Sequence, residues 1–409
     1  MAQGIPSWMN AEFTQGVLRR CEQDDSIEVI DIHSKPATSK GDNYTSDMYR
    51  ISLEISRKKG DKRITEKKSI ILKVAPTVEG GKKDLIEKSN IFDTEINMMT
   101  NTLKKMNETI GKKHRMNATA YYVRRESPPS LILEDLAPLG FRMADRQSGL
   151  DLDHCIVVMR NIARFHASSA VVCERDPSQK ELYRKGMFSD EYPVELQAFF
   201  NSGARQLADV VETWPELGPK YATKIRALAD TLYEKGKQAV ARRDDEFNVI
   251  NHGDAWVNNM LFKYDSQGKL VDHIFVDFQM CIFTTPAIDL HYFLGTSPEP
   301  KVYDENRHLL LEEYLRSLTS SLKEYGYKGA IPNMNALEKS LKEREIYALI
   351  ASATVLPMVL VDKDKVLDLE EVMINKQDNT FINPAYKVDR YRRVMIKRIP
   401  YWEQCGLLD

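Results

Sequence analysis

Two short motifs place polar oxygens beside apolar runs in a pattern that suits metal-assisted chemistry. HGD at 252–254 is followed by Asn259, and DFQ begins at Asp277. Apolar runs on both sides of the polar segment 265–269 predict a β-hairpin. A pairing whose residue numbers sum to about 535 or 536 sets Asn259 opposite Val276 or Asp277.

The predicted hairpin brings an amide oxygen and a carboxylate close enough to share a ligand. Opposed residues of an antiparallel pair lie about 5 Å apart, so Asn259 and Asp277 could bind one divalent cation. Mg²⁺ is the expected ion, because it prefers oxygen ligands and keeps substrate phosphates and water in its shell. The alternative interpretation is that both residues cap turns at the end of the hairpin.

Asp254 is a candidate general base, because it lies on the loop that enters the hairpin, five residues before Asn259. Phosphoryl transfer requires a carboxylate to accept the proton of the acceptor, a cation across the phosphates and a lysine on the donor. Asp and Gly also favour turns. The HGD triplet alone is therefore a weak signal, and its weight comes from the other motifs.

Lys73 and Glu95 are candidates for the donor side of the same chemistry. Lys73 lies within the apolar segment 70–74, where a buried charge is costly unless a partner compensates it. Glu95 borders the apolar stripe of the following predicted helix, so a helix packed on the sheet would bring the two side chains together. The alternative places Lys73 on an edge strand and Glu95 at the surface.

A polar turn at 40–46 precedes the first predicted strand of this region and contains Asn43 and Ser46. Backbone N–H groups in such a turn, together with the Ser46 hydroxyl, can bind phosphate. We therefore include Asn43 and Ser46 among the predicted nucleotide-binding residues, although one glycine makes the turn a weak signal on its own.

The elements that must position these residues fall into two parts. Up to residue 135 the pattern is strand-rich, with one predicted helix over 84–106. After residue 150 it is helical, interrupted by a strand-rich island at 247–278, and the predicted helices cover 152–170, 193–213, 221–242, 306–325 and 336–360. We expect an N-terminal nucleotide-binding lobe over 1–135, a catalytic and acceptor-binding lobe over 136–409, and a ligand cleft between them.

Composition excludes several classes of protein. The formal net charge of −2 favours neither nucleic acid nor an anionic membrane as a partner. The nearly apolar run Ala348–Val361 is shorter than the roughly 20 residues of a membrane span, so it predicts a buried helix. Five scattered cysteines without CxxC spacing argue against a disulfide framework or a zinc site. With no signal-peptide pattern at the start, these features favour the cytoplasm.

In chain order, the motifs resemble those of small-molecule kinases of the choline kinase and aminoglycoside phosphotransferase type. The most similar group is the ecdysteroid kinase-like family, also called CHK kinase-like. The resemblance spans nearly the whole chain and is carried by GDNYTS at 41–46, LKV at 72–74, LEDL at 133–136, ARFHA at 163–167, HGDAWVNN at 252–259, DFQ at 277–279, PAIDL at 286–290 and GLLD at 406–409.

The resemblance implies an α+β, protein-kinase-like bilobal fold with a small antiparallel sheet in the N-lobe and a larger helical C-lobe. It implies Asp254 as the catalytic base and Asn259 and Asp277 as Mg²⁺ ligands. It also implies Lys73 on the donor phosphates of ATP, with Glu95 as the partner of Lys73.

Further residues receive roles from the same resemblance. The backbone of Glu134, Asp135 and Leu136 would receive adenine as the hinge between the lobes. The members of a second set would brace the catalytic loop, and they are His166, His252 and Asp289. Trp256 remains open between a core position and a wall of the acceptor pocket.

We therefore predict an ATP- and Mg²⁺-dependent kinase that transfers the γ-phosphoryl group to a hydroxyl of a small molecule, an ecdysteroid or related alcohol. The absence of GxGxxG, and DFQ in place of DFG, argue against a protein substrate. Phe199, Phe200 and Trp214 could line an apolar acceptor pocket or belong to the core.

Alternative functions are a choline- or ethanolamine-type kinase, a kinase of xenobiotic alcohols, and a catalytically silent protein that binds a nucleotide or a steroid. A catalytically silent protein is disfavoured, because the sequence keeps every candidate residue of the reaction, namely Lys73, Glu95, Asp254, Asn259 and Asp277. The sequence does not determine the oligomeric state, and a monomer is the working expectation.

Overall fold

The computed structural model describes residues 5–38, 44–111, 114–367 and 383–409. Its N-terminal part is built on a five-stranded antiparallel sheet with the strand order β1-β2-β3-β5-β4. Helix α1 (Ala11–Glu22) packs on this sheet. The strands are β1 (Glu28–Pro36), β2 (Asp47–Lys59), β3 (Lys62–Val74), β4 (Ala120–Arg124) and β5 (Ser130–Glu134).

The register of the sheet places Lys73 in its central strand. Lys73 pairs with Met48 of β2 on one side and with Leu131 of β5 on the other. The apolar segment 70–74 is the last part of β3, which begins at Lys62 after a tight turn around Gly60. An edge position for Lys73 is therefore wrong.

The helical segment packed beside the sheet is interrupted, unlike the single helix predicted over 84–106. It consists of α2 (Gly81–Ser89), α3 (Ile91–Asn97), a π-helical turn (Met98–Thr102) and α4 (Leu103–Ile110). Asn90 separates α2 from α3 with a φ of +55°, and asparagine tolerates this left-handed conformation better than most residues. Helix α3 begins after this break and carries Glu95 on its buried side.

The C-terminal part is mainly helical, as predicted, and two of the predicted helices are divided. The predicted 221–242 helix is divided at Thr231, because the N–H of Thr231 bonds the carbonyl of Leu228. The predicted 336–360 helix is divided before Pro357, which lacks the N–H that a continuous helix needs. The helices are α5 (Leu152–Arg175), α6 (Val194–Glu212), α7 (Gly218–Ala229), α8 (Leu232–Val240), α9 (Ala287–Thr296), α10 (Pro300–Glu324), α11 (Met334–Glu343), α12 (Glu345–Thr354), α13 (Leu356–Leu360) and α14 (Asp389–Gln404).

Two small sheets flank the HGD and DFQ motifs. One has the order β6-β8-β9 and the other consists of β10 and β7. Met260 pairs with Phe275, and the N–H of Val276 bonds the carbonyl of Asn259 at 3.0 Å, so the predicted hairpin register is correct. The strands are β6 (Phe141–Met143), β7 (Val249–Asn251), β8 (Met260–Tyr264), β9 (Leu270–Phe275) and β10 (Ile282–Thr284).

The predicted α+β architecture, with a small antiparallel sheet followed by a larger helical part, is confirmed. The segment Ala348–Val361 is buried and helical, in α12 and α13. Across the described ranges, every helix is too short or too polar to cross a lipid bilayer. All five cysteines are free thiols.

Candidate active site

Lys73 occupies the centre of a buried ion cluster. Its Nζ lies 2.6 Å from Oε2 of Glu95 and 2.8 Å from Oδ1 of Asp277, and its side chain is only 2% exposed. Burial opposes the charge of the ammonium, but the carboxylates of Asp277 and Glu95 outweigh burial and raise the pKa of Lys73. Lys73 therefore stays cationic at neutral pH.

Glu95 is fully enclosed by the protein, where burial and the ammonium of Lys73 act on its carboxylate in opposite directions. Burial raises the pKa of Glu95, although the ammonium of Lys73 opposes this shift. The position of Glu95 comes from α3, whose apolar residues Ile91, Phe92 and Ile96 are buried on the same segment. The predicted approach of this carboxylate to Lys73 is present, and its assignment to the surface is wrong.

Asp277 connects the ion cluster to the β8–β9 hairpin. It follows Val276, whose N–H bonds the carbonyl of Asn259. Asp277 has a φ of +67°, a left-handed conformation that costs about 1–3 kcal/mol in a residue with a Cβ and is concentrated at functional sites. The ion pair with Lys73 compensates part of this cost and holds one oxygen of the carboxylate.

Asp254 receives a hydrogen bond on each of its carboxylate oxygens. Tyr292 donates its hydroxyl to Oδ1 at 2.5 Å, and Asn259 donates its amide nitrogen to Oδ2 at 2.8 Å. Burial raises the pKa of Asp254 to about 7, the hydrogen bonds from Tyr292 and Asn259 oppose the shift, and the carboxylate of Asp277 adds to it. A general base is most effective when its pKa lies near the operating pH, and Asp254 meets this condition.

The loop before Asp254 is held by a buried chain of hydrogen bonds. The carboxylate of Asp289 accepts the backbone N–H groups of His252 at 2.7 Å and Gly253 at 2.8 Å. His166 Nε2 lies 3.0 Å from Asp289, and His166 Nδ1 lies 2.9 Å from the Tyr314 hydroxyl. Burial opposes the charge of Asp289, but these bonds lower the pKa of Asp289 overall, so it remains an ionised clamp.

Gly253 permits a contact that no other residue allows. Its φ is +80°, and a Cβ added there would lie 1.8 Å from the carbonyl oxygen of Met280. The loop that carries Asp254 therefore packs directly against the segment that follows the DFQ motif. Glycine at this position is required by both the backbone conformation and the space.

The oxygen atoms of Asn259 and Asp277 form a donor set that fits a hard divalent cation. Asn259 uses its amide nitrogen for Asp254, which leaves the amide oxygen as its candidate ligand atom. Within the described part of the chain, no group of three or more His, Cys, Asp or Glu side chains is arranged to hold a metal ion. A cation at Asn259 and Asp277 would therefore take further ligands from phosphate or water, as Mg²⁺ usually does.

An apolar cleft opens beside Asp254 and Asp277 and is lined by residues from both parts of the chain. The cleft is open to solvent on one side, and its walls are mainly carbon. Trp256 is buried in the core and also lines the cleft, and its role as a wall of an acceptor pocket stays a prediction. The main apolar contributors are Leu85, Ile86, Leu196, Phe199, Phe200 and Trp256. Trp214 packs in the core instead.

The predicted adenine-binding stretch has its acidic side chains engaged within the protein. Glu134 pairs with Arg115, and Asp135 binds Nε of Arg50 at 2.7 Å. Leu136 is buried in an apolar cluster. Adenine binding by this stretch therefore stays a prediction about its backbone alone.

The predicted phosphate-binding turn is described only in part. Asn43 lies outside the described residues. Ser46 is buried at the start of β2. Its neighbour Thr45 donates its hydroxyl to Oε1 of Gln279 at 3.0 Å, which ties this turn to the DFQ motif. The roles of Asn43 and Ser46 toward phosphate stay predictions.

The sequence profile of the ecdysteroid kinase-like family matches residues 40–327. The chain belongs to this family. The match covers all the residues that the site brings together, from Lys73 to Tyr292, and the family is a kinase-like group of small-molecule phosphotransferases. A search of curated proteins found no significant match.

Two solved structures align with this family member over most of its length. One is the amicoumacin kinase hAmiN in complex with AMP-PNP, Ca²⁺ and Ami, with 15% identity, a TM-score of 0.39, and coverage of 93% of this chain and 96% of that chain. The other is a thermostable mutant of aminoglycoside phosphotransferase APH(4)-Ia with ADP and hygromycin B, with 12% identity, a TM-score of 0.32, and coverage of 84% and 97%.

Tyr292 is the main site residue that the motif analysis missed. It lies three residues after Asp289 in α9, so both side chains face the catalytic loop. This helical spacing was the available signal. The bond between Thr45 and Gln279 was also missed, because it joins residues 234 positions apart.

We expect Asp254 to titrate near pH 7 in the protein freed of divalent cations, because burial favours its neutral form. It should be protonated below this pH and ionised above it. Carboxyl ¹³C NMR of aspartate-labelled protein, with Asp254→Asn to assign the signal, measures this directly. Added Mg²⁺ should lower the midpoint, since a nearby cation favours the carboxylate. A midpoint near 4 in cation-free protein would show that burial does not raise the pKa of Asp254.

Proposed function

We propose that this protein is an ATP-dependent kinase that transfers the γ-phosphoryl group to a hydroxyl of a small molecule. The observation that carries the proposal is the position of Asp254. Its carboxylate lies at the apolar cleft, shares a hydrogen bond with Asn259, and adjoins the Lys73–Asp277 ion pair. The proposed base Asp254, the proposed metal ligands Asn259 and Asp277, and the ammonium of Lys73 therefore lie around one space, in which phosphoryl transfer could take place.

The charges around this space favour a nucleotide with a divalent cation. Asp254, Asp277 and Glu95 contribute three carboxylates, whereas Lys73 is the ammonium within the cluster. We assign Asn259 and Asp277 to the cation, with Mg²⁺ as the expected ion. When bound, Mg²⁺ supplies positive charge to the phosphate oxygens. Lys73 would bind the donor phosphates, and the 134–136 backbone would receive adenine.

The chemical step can be written on the residues present. The acceptor hydroxyl loses its proton to Asp254 as its oxygen bonds the γ-phosphorus, and the bond between that phosphorus and the β,γ-bridging oxygen breaks, releasing ADP. The charge of Lys73 stabilises the developing negative charge on the phosphates. Asp254 then returns its proton to solvent.

The lining of the cleft favours a largely apolar alcohol as the acceptor. Helices α2, α6 and α13 contribute carbon-rich side chains to the cleft, and such a surface suits an apolar molecule better than a highly charged one. We therefore propose an ecdysteroid or related alcohol. Kinases of xenobiotic alcohols would use the same kind of surface.

A choline- or ethanolamine-type acceptor is the second candidate, and one observation favours it. The rings of Phe199, Phe200 and Trp256 lie in the same cleft as the carboxylate of Glu195. Aromatic faces together with a carboxylate are suited to an organic cation.

Transfer of label from [γ-³²P]ATP tests the proposal and separates the acceptors. The panel contains ecdysteroids, choline, ethanolamine, aminoglycosides, and phenolic and terpenoid alcohols. We expect Mg²⁺-dependent label on an ecdysteroid or related alcohol, and label on choline instead would favour the second candidate. Binding of Mg²⁺-ATP with no transfer to any acceptor would support a silent binding protein and contradict the proposal.

Asp254→Ala should lower turnover by roughly 10²–10⁴-fold, the contribution of a positioned base, with little effect on the binding of Mg²⁺-ATP. Steady-state turnover and nucleotide titration measure the two effects. Asp272→Ala is the matched control, because Asp272 is an exposed aspartate in β9. Full turnover in Asp254→Ala would remove the assignment of the base.

Asp277→Ala should weaken Mg²⁺-ATP binding by about tenfold or more, since interactions with charged groups contribute about 1.5–3 kcal/mol. Isothermal titration with Mg²⁺-ATP gives the affinity, and Asp254→Ala serves as the comparison with intact nucleotide binding. Unchanged affinity in Asp277→Ala would exclude Asp277 as a ligand for the cation.

A further inference from the structure

Helix α9 contacts the catalytic loop at two points. Asp289 holds the backbone of the loop through the N–H groups of His252 and Gly253. Tyr292, about one turn further along α9, reaches the side chain of Asp254 and donates its hydroxyl to Oδ1 at 2.5 Å. One helix therefore contacts both the main chain and the reactive side chain of this loop.

We propose that Tyr292 is a positioning residue that sets the orientation of the Asp254 carboxylate toward the acceptor hydroxyl. The proposal rests on the proposed function, in which Asp254 accepts the proton of the acceptor. It assigns no chemical step to Tyr292 itself.

The physical argument begins with the freedom of an aspartate side chain. Rotation about the Cβ–Cγ bond of aspartate has broad minima, so one hydrogen bond to one oxygen leaves the carboxylate poorly oriented. In this site Asn259 holds Oδ2 at 2.8 Å and Tyr292 holds Oδ1 at 2.5 Å, from different elements. The two bonds together define the plane of the carboxylate and the lone pairs that remain for the acceptor.

The position of Tyr292 at the cleft makes this orientation relevant to the acceptor. Tyr292 is 3% exposed and still contributes to the lining of the cleft, next to Asp254. Burial raises the pKa of Tyr292 well above its ordinary value, and the carboxylate of Asp254 adds to the shift. The hydroxyl therefore keeps its proton and acts as the donor in this bond.

A purely structural hydrogen bond would have a different signature from a positioning bond. Loss of a structural bond lowers the stability of the fold and leaves the chemical step unchanged. Loss of a positioning bond lowers kcat while the KM values hold, because the misalignment is felt only in the transition state. The split between kcat and KM therefore separates the two roles.

Tyr292→Phe tests the proposal, because it removes the hydroxyl and keeps the ring. Tyr391→Phe is the matched control, since Tyr391 is fully buried away from the cleft and donates to the carbonyl of Ser352 at 3.1 Å. We expect kcat of Tyr292→Phe to fall roughly 10- to 100-fold, as a small misplacement of a reacting group can cost about 10²-fold. The KM values for ATP and acceptor should stay within about twofold, and the Tm should fall as in Tyr391→Phe.

Asp254→Ala, measured in parallel, distinguishes the possible failures. Full turnover in Asp254→Ala overturns the proposed function and this inference with it. An inactive Asp254→Ala beside a Tyr292→Phe protein with the kcat of Tyr391→Phe overturns the positioning role alone. Loss of folded protein in Tyr292→Phe, but not in Tyr391→Phe, also overturns it, because the hydroxyl would then serve the fold.

Discussion

The buried ammonium of Lys73 is the constraint on which the rest of the site depends. A fully buried charge is tolerated only when well-placed partners compensate it, and removing one partner typically costs about 3–5 kcal/mol. Its partners come from α3, through Glu95, and from the loop after β9, through Asp277. Because one cation contacts both carboxylates, it determines how the N-terminal sheet, α3 and the DFQ loop lie relative to one another.

The loop that carries Asp254 is held separately, by hydrogen bonds from α9. Every residue of α9 is buried, and its Asp289 carboxylate is itself held by His166. The loop is therefore supported from a core element, whereas the cleft beside Asp254 is open and apolar.

Local patterns in the sequence predicted much of this arrangement. The apolar segment around Lys73 and the apolar stripe of the next helix indicated that Lys73 and Glu95 could meet, and the hairpin register predicted that Asn259 and Asp277 lie close together. The contact between Lys73 and Asp277 joins residues 204 positions apart. The spacing of apolar residues carries no information at that range. The family resemblance implied that both residues act on the nucleotide, and it did not predict their direct contact.

Other features depend on local bonds that the spacing of apolar residues does not register, or on tertiary packing that no single segment reveals. The break at Asn90 and the division of the predicted 221–242 helix follow from local bonds that compete with a continuous helix. Phe199 and Phe200 in α6 line the cleft and Phe200 is also buried in the core, whereas Trp214, just after α6, packs in the core only. This difference depends on the helices packed around α6, which the segment itself does not reveal.

The stereochemistry at phosphorus tests the central claim most directly. With ATP made chiral at the γ-phosphorus by oxygen isotopes, a base at Asp254 and direct in-line transfer to the acceptor predict inversion of configuration in the phosphorylated product. Retention of configuration would mean that the phosphoryl group passes through a covalent enzyme intermediate, with a nucleophile in place of a base, and would contradict the account.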